Sequence, residues 1–330
     1  MYETKYHDKD LSQLKFLVTG GAGFIGSNIV EYLLKYGAGK VRVLDNLSTG
    51  FQANVDLFLN NPAYEFMHGD IRDIDTCKKA VYGIDCVLHQ AALGSVPRSI
   101  NDPLTTHAVN STGFLNMLWA VKENKNIKRF IYAASSSTYG DSKELPKVED
   151  RIGKPLSPYA ITKFNNEQYA DIFSNVYSLH TIGLRYFNVF GPRQNPNNAY
   201  AAVIPIFCKS FIENTSPTIN GDGKTSRDFT FVENVVQANI KALTSEILES
   251  HQVFNVACGE QITLNELINS LNEISSKGIK PIYNPERKGD VKHSCANIEK
   301  INLLLDYDPK IKFKEGLSIV YNWYRTQNVS

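Results

Sequence analysis

A tyrosine and a lysine four residues apart share one face of a helix. There the ammonium lowers the phenol's pKa from about 10 and makes it a usable base near neutral pH. The sequence carries this spacing three times, at Tyr36/Lys40, Tyr139/Lys143 and Tyr159/Lys163. The first pair straddles Gly37 and Gly39, which end a helix. The second lies in "STYGDSKEL", a turn without helical periodicity. Only the third sits inside a helical stretch, with Ser157 as a cap and Pro158 in its first turn. It is also the only copy preceded by a hydroxyl-rich strand end, Ser135, Ser136 and Ser137 in "AASSSTYG". A serine run alone reads equally well as a solvated turn. Beside Tyr159 and Lys163 it occupies a strand end of the kind that delivers ligand-facing groups.

A second constellation is suited to phosphate. In "VTGGAGFIGS", Gly20, Gly23 and Gly26 follow the first apolar strand and open the first helix. Glycines there permit a tight turn and a close approach of backbone to a pyrophosphate on the helix N-terminus. By itself such a triplet serves strand-to-helix packing as readily. Asp45, 19 residues after Gly26 at the end of the second strand, adds an acceptor for an adenosine ribose, although it also reads as a turn acid in "DNLSTG". No Arg or Lys follows it at once to meet a 2′-phosphate, which favours NAD over NADP. No Gly-Lys-Ser/Thr follows the glycines, which removes the P-loop reading. "HGDIRD" ends the third strand, where Asp70 and Ile71 either flank an adenine or form a plain turn.

The elements that must position these residues alternate along the first half of the chain. Apolar strands in "LKFLVTG", "KVRVLDN", "YEFMHGD", "IDCVLHQAA", "IKRFIYAASS" and "LHTIGLRYF" are separated by helical stretches, including long ones near 103–124 and 157–175. That order predicts an α/β fold, a Rossmann-type doubly wound parallel sheet covered on both faces. After about residue 187 the texture changes to loops rich in Gly, Pro, Asn and charge, with helical stretches near 200–213, 232–246, 263–275, 297–305 and 314–325. The expected division is an NAD-binding domain of 1–186 plus about 229–257, and a smaller mixed α/β substrate lobe of 187–228 plus about 258–330.

Composition excludes more than it assigns. The 330 residues are 42% hydrophobic and 21% charged with a net charge of +1, so nothing at that level calls for nucleic acid or an anionic membrane. The opening "MYETKYHDKDLSQLK" lacks an apolar signal segment, and no run approaches the length of a spanning helix. Five scattered cysteines without a C-x-x-C pair read as reduced thiols, which predicts a cytoplasmic protein. Seven histidines without H-x-x-x-H spacing predict no metal.

The glycine turn, "HQAA" at 89–92, Asn110, the serine run and Tyr159-x-x-x-Lys163, in that order, resemble the extended short-chain dehydrogenase/reductases. More closely, "ALGSVPRSINDP", "LSPYAITK", "LRYFNVFGPRQNPNNAYAAVIP" and "NGDGKTSRDF" resemble bacterial UDP-N-acetylhexosamine 4-epimerases, over about residues 14–325. The departure is Pro192, where such relatives carry a second arginine.

This resemblance implies 4-epimerisation of UDP-N-acetylglucosamine and UDP-N-acetylgalactosamine through a transient 4-keto sugar and bound NAD. It makes Tyr159 the base, supported by Lys163, with Ser135, or second Ser136, on the same sugar oxygen. NAD contacts are implied for Gly20, Gly23, Phe24, Ile25 and Gly26, and for Asp45, Asn46, Ser48, Thr49 and Gly50. Further along the chain they fall on Asp70, Ile71, Gln90, Ala91, Ala92 and Asn110, and on Tyr159, Lys163, Tyr186 and Val189. UDP-sugar contacts are implied for Ser95, Ser135–Ser137, Tyr159, Asn188, Ala202 and Val203, and for Arg227, Arg287, Asp290 and Ser294. Arg227 and Arg287 carry guanidinium forks suited to a pyrophosphate, although surface ion pairing is the plainer use of either.

Relatives acting on UDP-glucose and UDP-galactose carry a tyrosine at the place of Ser294, five residues after Gly289. A small residue there leaves room for an N-acetyl group. The alternatives are epimerisation of the corresponding uronic acid or of UDP-glucose/galactose, and an NAD-retaining dehydratase or decarboxylase. Those last need a carboxylate after the catalytic hydroxyl, where this chain has Ser136 and Ser137. A non-enzymatic NAD sensor would lack the tyrosine. The two long helices near 103–124 and 157–175 are those with which this family builds a homodimer.

Overall fold

The computed structural model describes residues 1–197, 201–246, 250–286 and 292–327. Strand β1 (Lys15–Thr19) leads through a glycine turn into α1 (Phe24–Lys35), and then come β2 (Lys40–Asp45), α2 (Gln52–Asp56), β3 (Tyr64–His68), α3 (Ile74–Val81) and β4 (Cys86–His89). Helices α4 (Val96–Asn101), α5 (Pro103–His107) and α6 (Gly113–Glu123) precede β5 (Arg129–Ser135), α7 (Pro158–Tyr177) and β6 (Thr181–Tyr186). The remainder comprises β7 (Val189–Phe190), α8 (Val203–Ile212), β8 (Thr218–Asn220), β9 (Ser226–Arg227), β10 (Thr230–Phe231), α9 (Val232–Thr244) and β11 (Gln252–Val256), then β12 (Ile262–Thr263), α10 (Leu264–Ser275), β13 (Ile282–Asn284), α11 (Glu299–Leu305) and α12 (Phe313–Thr326).

Seven strands form one parallel sheet in the order β11-β6-β5-β4-β1-β2-β3. The sheet is the Rossmann-type doubly wound one expected. Strands β1, β4 and β6 are buried almost throughout, which is why they read as near-continuous apolar runs, while the edge strand β3 is only half-buried. Ile29, Val30 and Leu33 of α1, with Val235, Val236 and Ile240 of α9, cover one face. Ala80 and Val81 of α3, Phe114, Met117 and Leu118 of α6, and Ala170 and Phe173 of α7 cover the other. The chain order reverses between β1 and β4, so their carboxyl ends open a crevice, the place where such sheets bind ligands.

Three local features differ from the sequence reading. The long helix near 103–124 contains a π-turn over Ala108–Thr112. A short α4 precedes it, capped by Ser95. Beyond residue 187 the loops carry paired two- and three-residue strands, β7 with β10, β9 with β12 and β8 with β13. Such strands are too short to show a period. A separate apolar cluster gathers Phe207 and Phe211 of α8, Leu267 and Leu271 of α10, and Leu317 and Val320 of α12.

Helix α7 is anchored where it matters to the site. Ser157 Oγ accepts from the Ala160 N–H at 3.1 Å, and Pro158 occupies the first turn. One turn beyond Lys163, the Glu167 carboxylate takes a two-pronged bond from Arg185 of β6 (Nε at 2.9 Å, Nη2 at 2.7 Å). Both side chains are 4% exposed. A buried, bidentate pair fixes the helix to the sheet in one register.

Candidate active site

Gly20 has φ +70, and a Cβ built there would lie 2.7 Å from the Ala91 nitrogen. A Cβ on Gly26 would lie 2.2 Å from the Gly20 carbonyl oxygen. The first glycine permits the turn; the second lets α1 start directly on it. The cradle so formed opens onto a cleft of about 600 Å³ along the carboxyl edge of the sheet. At the end of β2, Asp45 is 8% exposed and accepts from the Ala22 N–H at 3.0 Å and the Leu47 N–H at 2.8 Å. Burial raises its pKa, and those N–H groups oppose the rise. Asp70 is held down to about 2 by its hydrogen bonds from Arg72. A glycine cradle that any Cβ would fill, with a carboxylate at the end of the next strand, fits a dinucleotide such as NAD.

Tyr159, Lys163, Ser135 and Ser136 line the same cleft. Ser135 closes β5 and is 8% exposed. Its Oγ accepts from the Ser137 N–H at 3.2 Å and the Ser137 hydroxyl at 2.9 Å, which leaves its own proton for a group in the cleft. Lys163 is 4% exposed and donates to the Ala133 carbonyl at 2.8 Å. Its Nζ is 5.9 Å from the Tyr159 ring centroid. Burial pushes the Tyr159 phenol up, and a hydrogen bond from Ser135 is what pulls it down. Burial also lowers Lys163 to about 8, with Glu167 acting the other way. Ser135 thus joins Lys163 among the groups that can favour the phenolate. In the protein by itself the ammonium turns to the β5 carbonyl, and the serine is the phenol's nearest help.

The other Tyr/Lys spacings are put to structural use. Tyr139 donates to Asn255 at 2.6 Å, and Tyr36 donates to the Tyr2 carbonyl at 2.8 Å.

Of the remaining residues implied for the cofactor, Gly23, Phe24, Ile25, Asn46, Ser48, Thr49, Ile71, Gln90, Ala91, Ala92, Tyr186 and Val189 line the cleft. Gly50 does not; a Cβ there would meet Ala22 at 2.9 Å, so it packs against the glycine turn. Nor does Asn110. Its amide grips both polar groups of Leu93 (2.7 and 3.1 Å) and reaches Thr162 at 3.2 Å, so it fixes the loop above the site rather than a ligand.

A second cavity of about 360 Å³ adjoins the first, and Asn188, Val189, Ala201 and Ala202 line both. Ser95 lines the cleft, while Val203 and Arg227 line the second cavity. Arg227 donates to the Ser226 carbonyl at 2.8 Å. Ser137 stands behind Ser135 and lines neither cavity. Ser294 is half-buried beside β9, its N–H bonded to the Ser226 carbonyl at 3.2 Å, and it also lines neither. Arg287 and Asp290 lie outside the described residues.

Among the cleft residues that escaped the sequence reading are three consecutive ones, Arg193, Gln194 and Asn195. The signal was their position five to seven residues after Asn188 in "NVFGPRQN". Another missed group is Asp228, whose buried carboxylate accepts from the N–H groups of Cys258, Gly259 and Ala296. Burial raises it to about 6.

Residues 16–257 match the model of the NAD dependent epimerase/dehydratase family. A putative UDP-glucose 4-epimerase of Methanocaldococcus jannaschii is 37% identical over 94% of this chain and 99% of its own length. Among solved structures, a UDP-N-acetylglucosamine 4-epimerase of Methanobrevibacter ruminantium M1 in complex with UDP-N-acetylmuramic acid shares 39% identity. Its TM-score is 0.88, over 95% of this chain and 99% of that one. A UDP-glucuronic acid 4-epimerase of Bacillus cereus, in complex with UDP-glucuronic acid and NAD, shares 31%. Its TM-score is also 0.88, over 95% and 100%. Relatives named for three different sugars are thus similar to this chain to comparable degrees.

Lys163 yields a pH prediction. Its folded pKa of about 8 lies below the ordinary 10.5, so the folded state binds its proton less tightly than the unfolded one. The cost of burying the cation is full below pH 8 and fades as pH rises from 8 towards 10.5. Lys163→Met is expected to raise stability at pH 7 by on the order of 1–3 kcal/mol, after loss of the Ala133 bond, and the gain should shrink by pH 10. Denaturant melts at the two pH values check this; a destabilised variant, or a gain independent of pH, contradicts it.

Proposed function

The chain belongs to the NAD dependent epimerase/dehydratase family, and on that premise we propose that it is a UDP-N-acetylglucosamine 4-epimerase. It interconverts UDP-N-acetylglucosamine and UDP-N-acetylgalactosamine. The observation that carries the reaction type is the convergence of Tyr159, Lys163 and Ser135 at one end of the cleft with hydroxyls, not carboxylates, at Ser136 and Ser137. Expelling water from a sugar calls for acids at those places.

NAD, when bound on the glycine cradle, supplies a reversible hydride acceptor, so the net reaction is an isomerisation. Tyr159 takes the proton of the sugar's 4-hydroxyl and gives one back after the sugar has reoriented. Ser135 turns its proton from the Tyr159 phenol to that oxygen, holding it against the phenol. Lys163, charged below about pH 8, is one turn from Tyr159 and close enough for its field to favour the phenolate. The second cavity, with Arg227 in its wall, suits the nucleotide diphosphate.

The choice of sugar rests on Ser294. It lies beside β9, the strand that carries Arg227, and is small where relatives acting on UDP-glucose carry a tyrosine; a bulky side chain there would discriminate by exclusion. Dimerisation is part of the same reading. Helices α4 to α7 expose Ile100, Leu104, Trp119, Ile161, Ile172 and Val176, an apolar face suited to a second copy of the chain.

Tyr159→Phe is expected to keep the fold and retain NAD while turnover falls by on the order of 10² to 10⁴; wild-type rates in that variant would remove the mechanism. Ser294→Tyr should nearly abolish turnover of the two N-acetylated sugars and spare UDP-glucose and UDP-galactose. Equal loss, or no loss, on both pairs would remove the assignment of this residue. Light scattering at micromolar concentration should give about twice the 37.0 kDa chain mass; a monomer alone would count against the dimer.

A further inference from the structure

Residues 1–14 run ahead of β1, and the aromatic side chains they bury lie on the outer face of α1. Tyr2 is 1% exposed, with its ring edge-on to Tyr32 at 5.7 Å. Tyr6 stacks on the same ring at 5.8 Å, and His7 Nδ1 is 2.9 Å from the Tyr32 hydroxyl. None of these side chains lines the cleft. The connection to it runs through Asn28, a fully buried amide one turn into α1. Asn28 Oδ1 accepts the Tyr2 hydroxyl at 2.6 Å. Its Nδ2 donates to the Phe24 carbonyl at 2.8 Å and to the Pro192 carbonyl at 3.3 Å.

Pro192 belongs to the loop Gly191–Asn195, whose last three residues form part of the cleft wall. That loop has an unfavourable backbone, with Arg193 at φ +72, so outside contacts must hold it. Side chains among the described residues do so. Asn28 holds the Pro192 carbonyl, Glu31 pairs with the Arg193 guanidinium, which also lies over the Phe58 ring, and the Tyr324 hydroxyl donates to the Gln194 carbonyl. Asn28 and Glu31 stand on α1 beneath the leading segment. An amide has one acceptor and one donor end. Tyr2's donation to the acceptor commits the donor end to the two carbonyls. Without it, Oδ1 becomes a buried acceptor with no partner, and the amide loses its fixed setting.

We propose that the segment ahead of β1 is a positioning element of the active site, with Tyr2 as its operative residue. Through Asn28 it fixes the Gly191–Asn195 wall against which the nucleotide sugar packs. The relay itself stands on the hydrogen bonds alone; only the identity of the ligand rests on the epimerase reading.

The test compares Tyr2→Phe with Tyr6→Phe. The Tyr6 hydroxyl donates to Glu233 of α9 at 2.9 Å and not to Asn28, so Tyr6→Phe loosens the segment while leaving the Tyr2–Asn28 bond in place. Trypsin cleavage after Arg193, followed by mass spectrometry, reports the loop directly. The expected result is cleavage there about fivefold faster in Tyr2→Phe and within about twofold of wild type in Tyr6→Phe, with cuts elsewhere unchanged. KM for the UDP-sugar turned over by wild type should rise by a similar factor in Tyr2→Phe, with kcat within about twofold. Equal cleavage in the two variants, no acceleration, or acceleration at every site together would overturn the proposal. So would a fall in kcat at constant KM. If the wild-type protein turned over no UDP-sugar, the epimerase reading would fall while the cleavage comparison still decided the relay.

Discussion

An ammonium group held out of water beside a sheet edge is costly, and much of this architecture keeps Lys163 in that position. Its Nζ donates to the carbonyl of Ala133, two residues before Ser135 on the same strand. One main-chain oxygen thus sets the separation between the lysine and the serine, while one turn of α7 sets that between the lysine and Tyr159. Behind them, Arg185 grips Glu167 from β6, so the helix cannot slide along the sheet without breaking a buried ion pair. Burial lowers the lysine to about 8 and pushes the phenol up. Burial thus works against the charged form of both groups, while Lys163 at about 8 still carries its proton at neutral pH.

The cleft follows from the same sheet. Reversal of strand order between β1 and β4 puts the glycine turn and the Gln90–Ala92 segment side by side, and their contact is tight enough to require Gly20. The carboxyl ends of β5 and β6 bring Ser135 and Tyr186 to the same rim. Asn188, at φ +33, turns the chain from β6 into the residues that line both cavities, with its amide on the Asp228 carbonyl. A two-part ligand, one half on the cradle and one beyond Asn188, would meet at Tyr159 and Ser135.

What was legible in the sequence was local. The glycine turn, Asp45, the capped helix of Tyr159 and Lys163, and the six alternating strands announce themselves through spacing over a few residues, and the doubly wound sheet follows from their order. Contacts between distant segments were not legible. Asn110 looks like a ligand contact but spends its amide on Leu93 and Thr162, 17 and 52 residues away. The Ala133 carbonyl is a main-chain atom with no sequence signature. Tyr2, Asn28 and Pro192 meet only because α1 carries the amide between segments 26 and 164 residues away from it. β9 and β12 are two residues each, below any period a pattern could show.

A 4-epimerase of N-acetylated UDP-hexoses that holds its own NAD needs no cofactor added in the assay. Purified protein, with no cofactor added, should convert UDP-N-acetylglucosamine into UDP-N-acetylgalactosamine, separated by chromatography, and should do so faster than it converts UDP-glucose or UDP-glucuronic acid. A preference for either of those substrates would contradict the assigned sugar. No conversion of any UDP-sugar, with NAD released on denaturation, would contradict the assigned reaction.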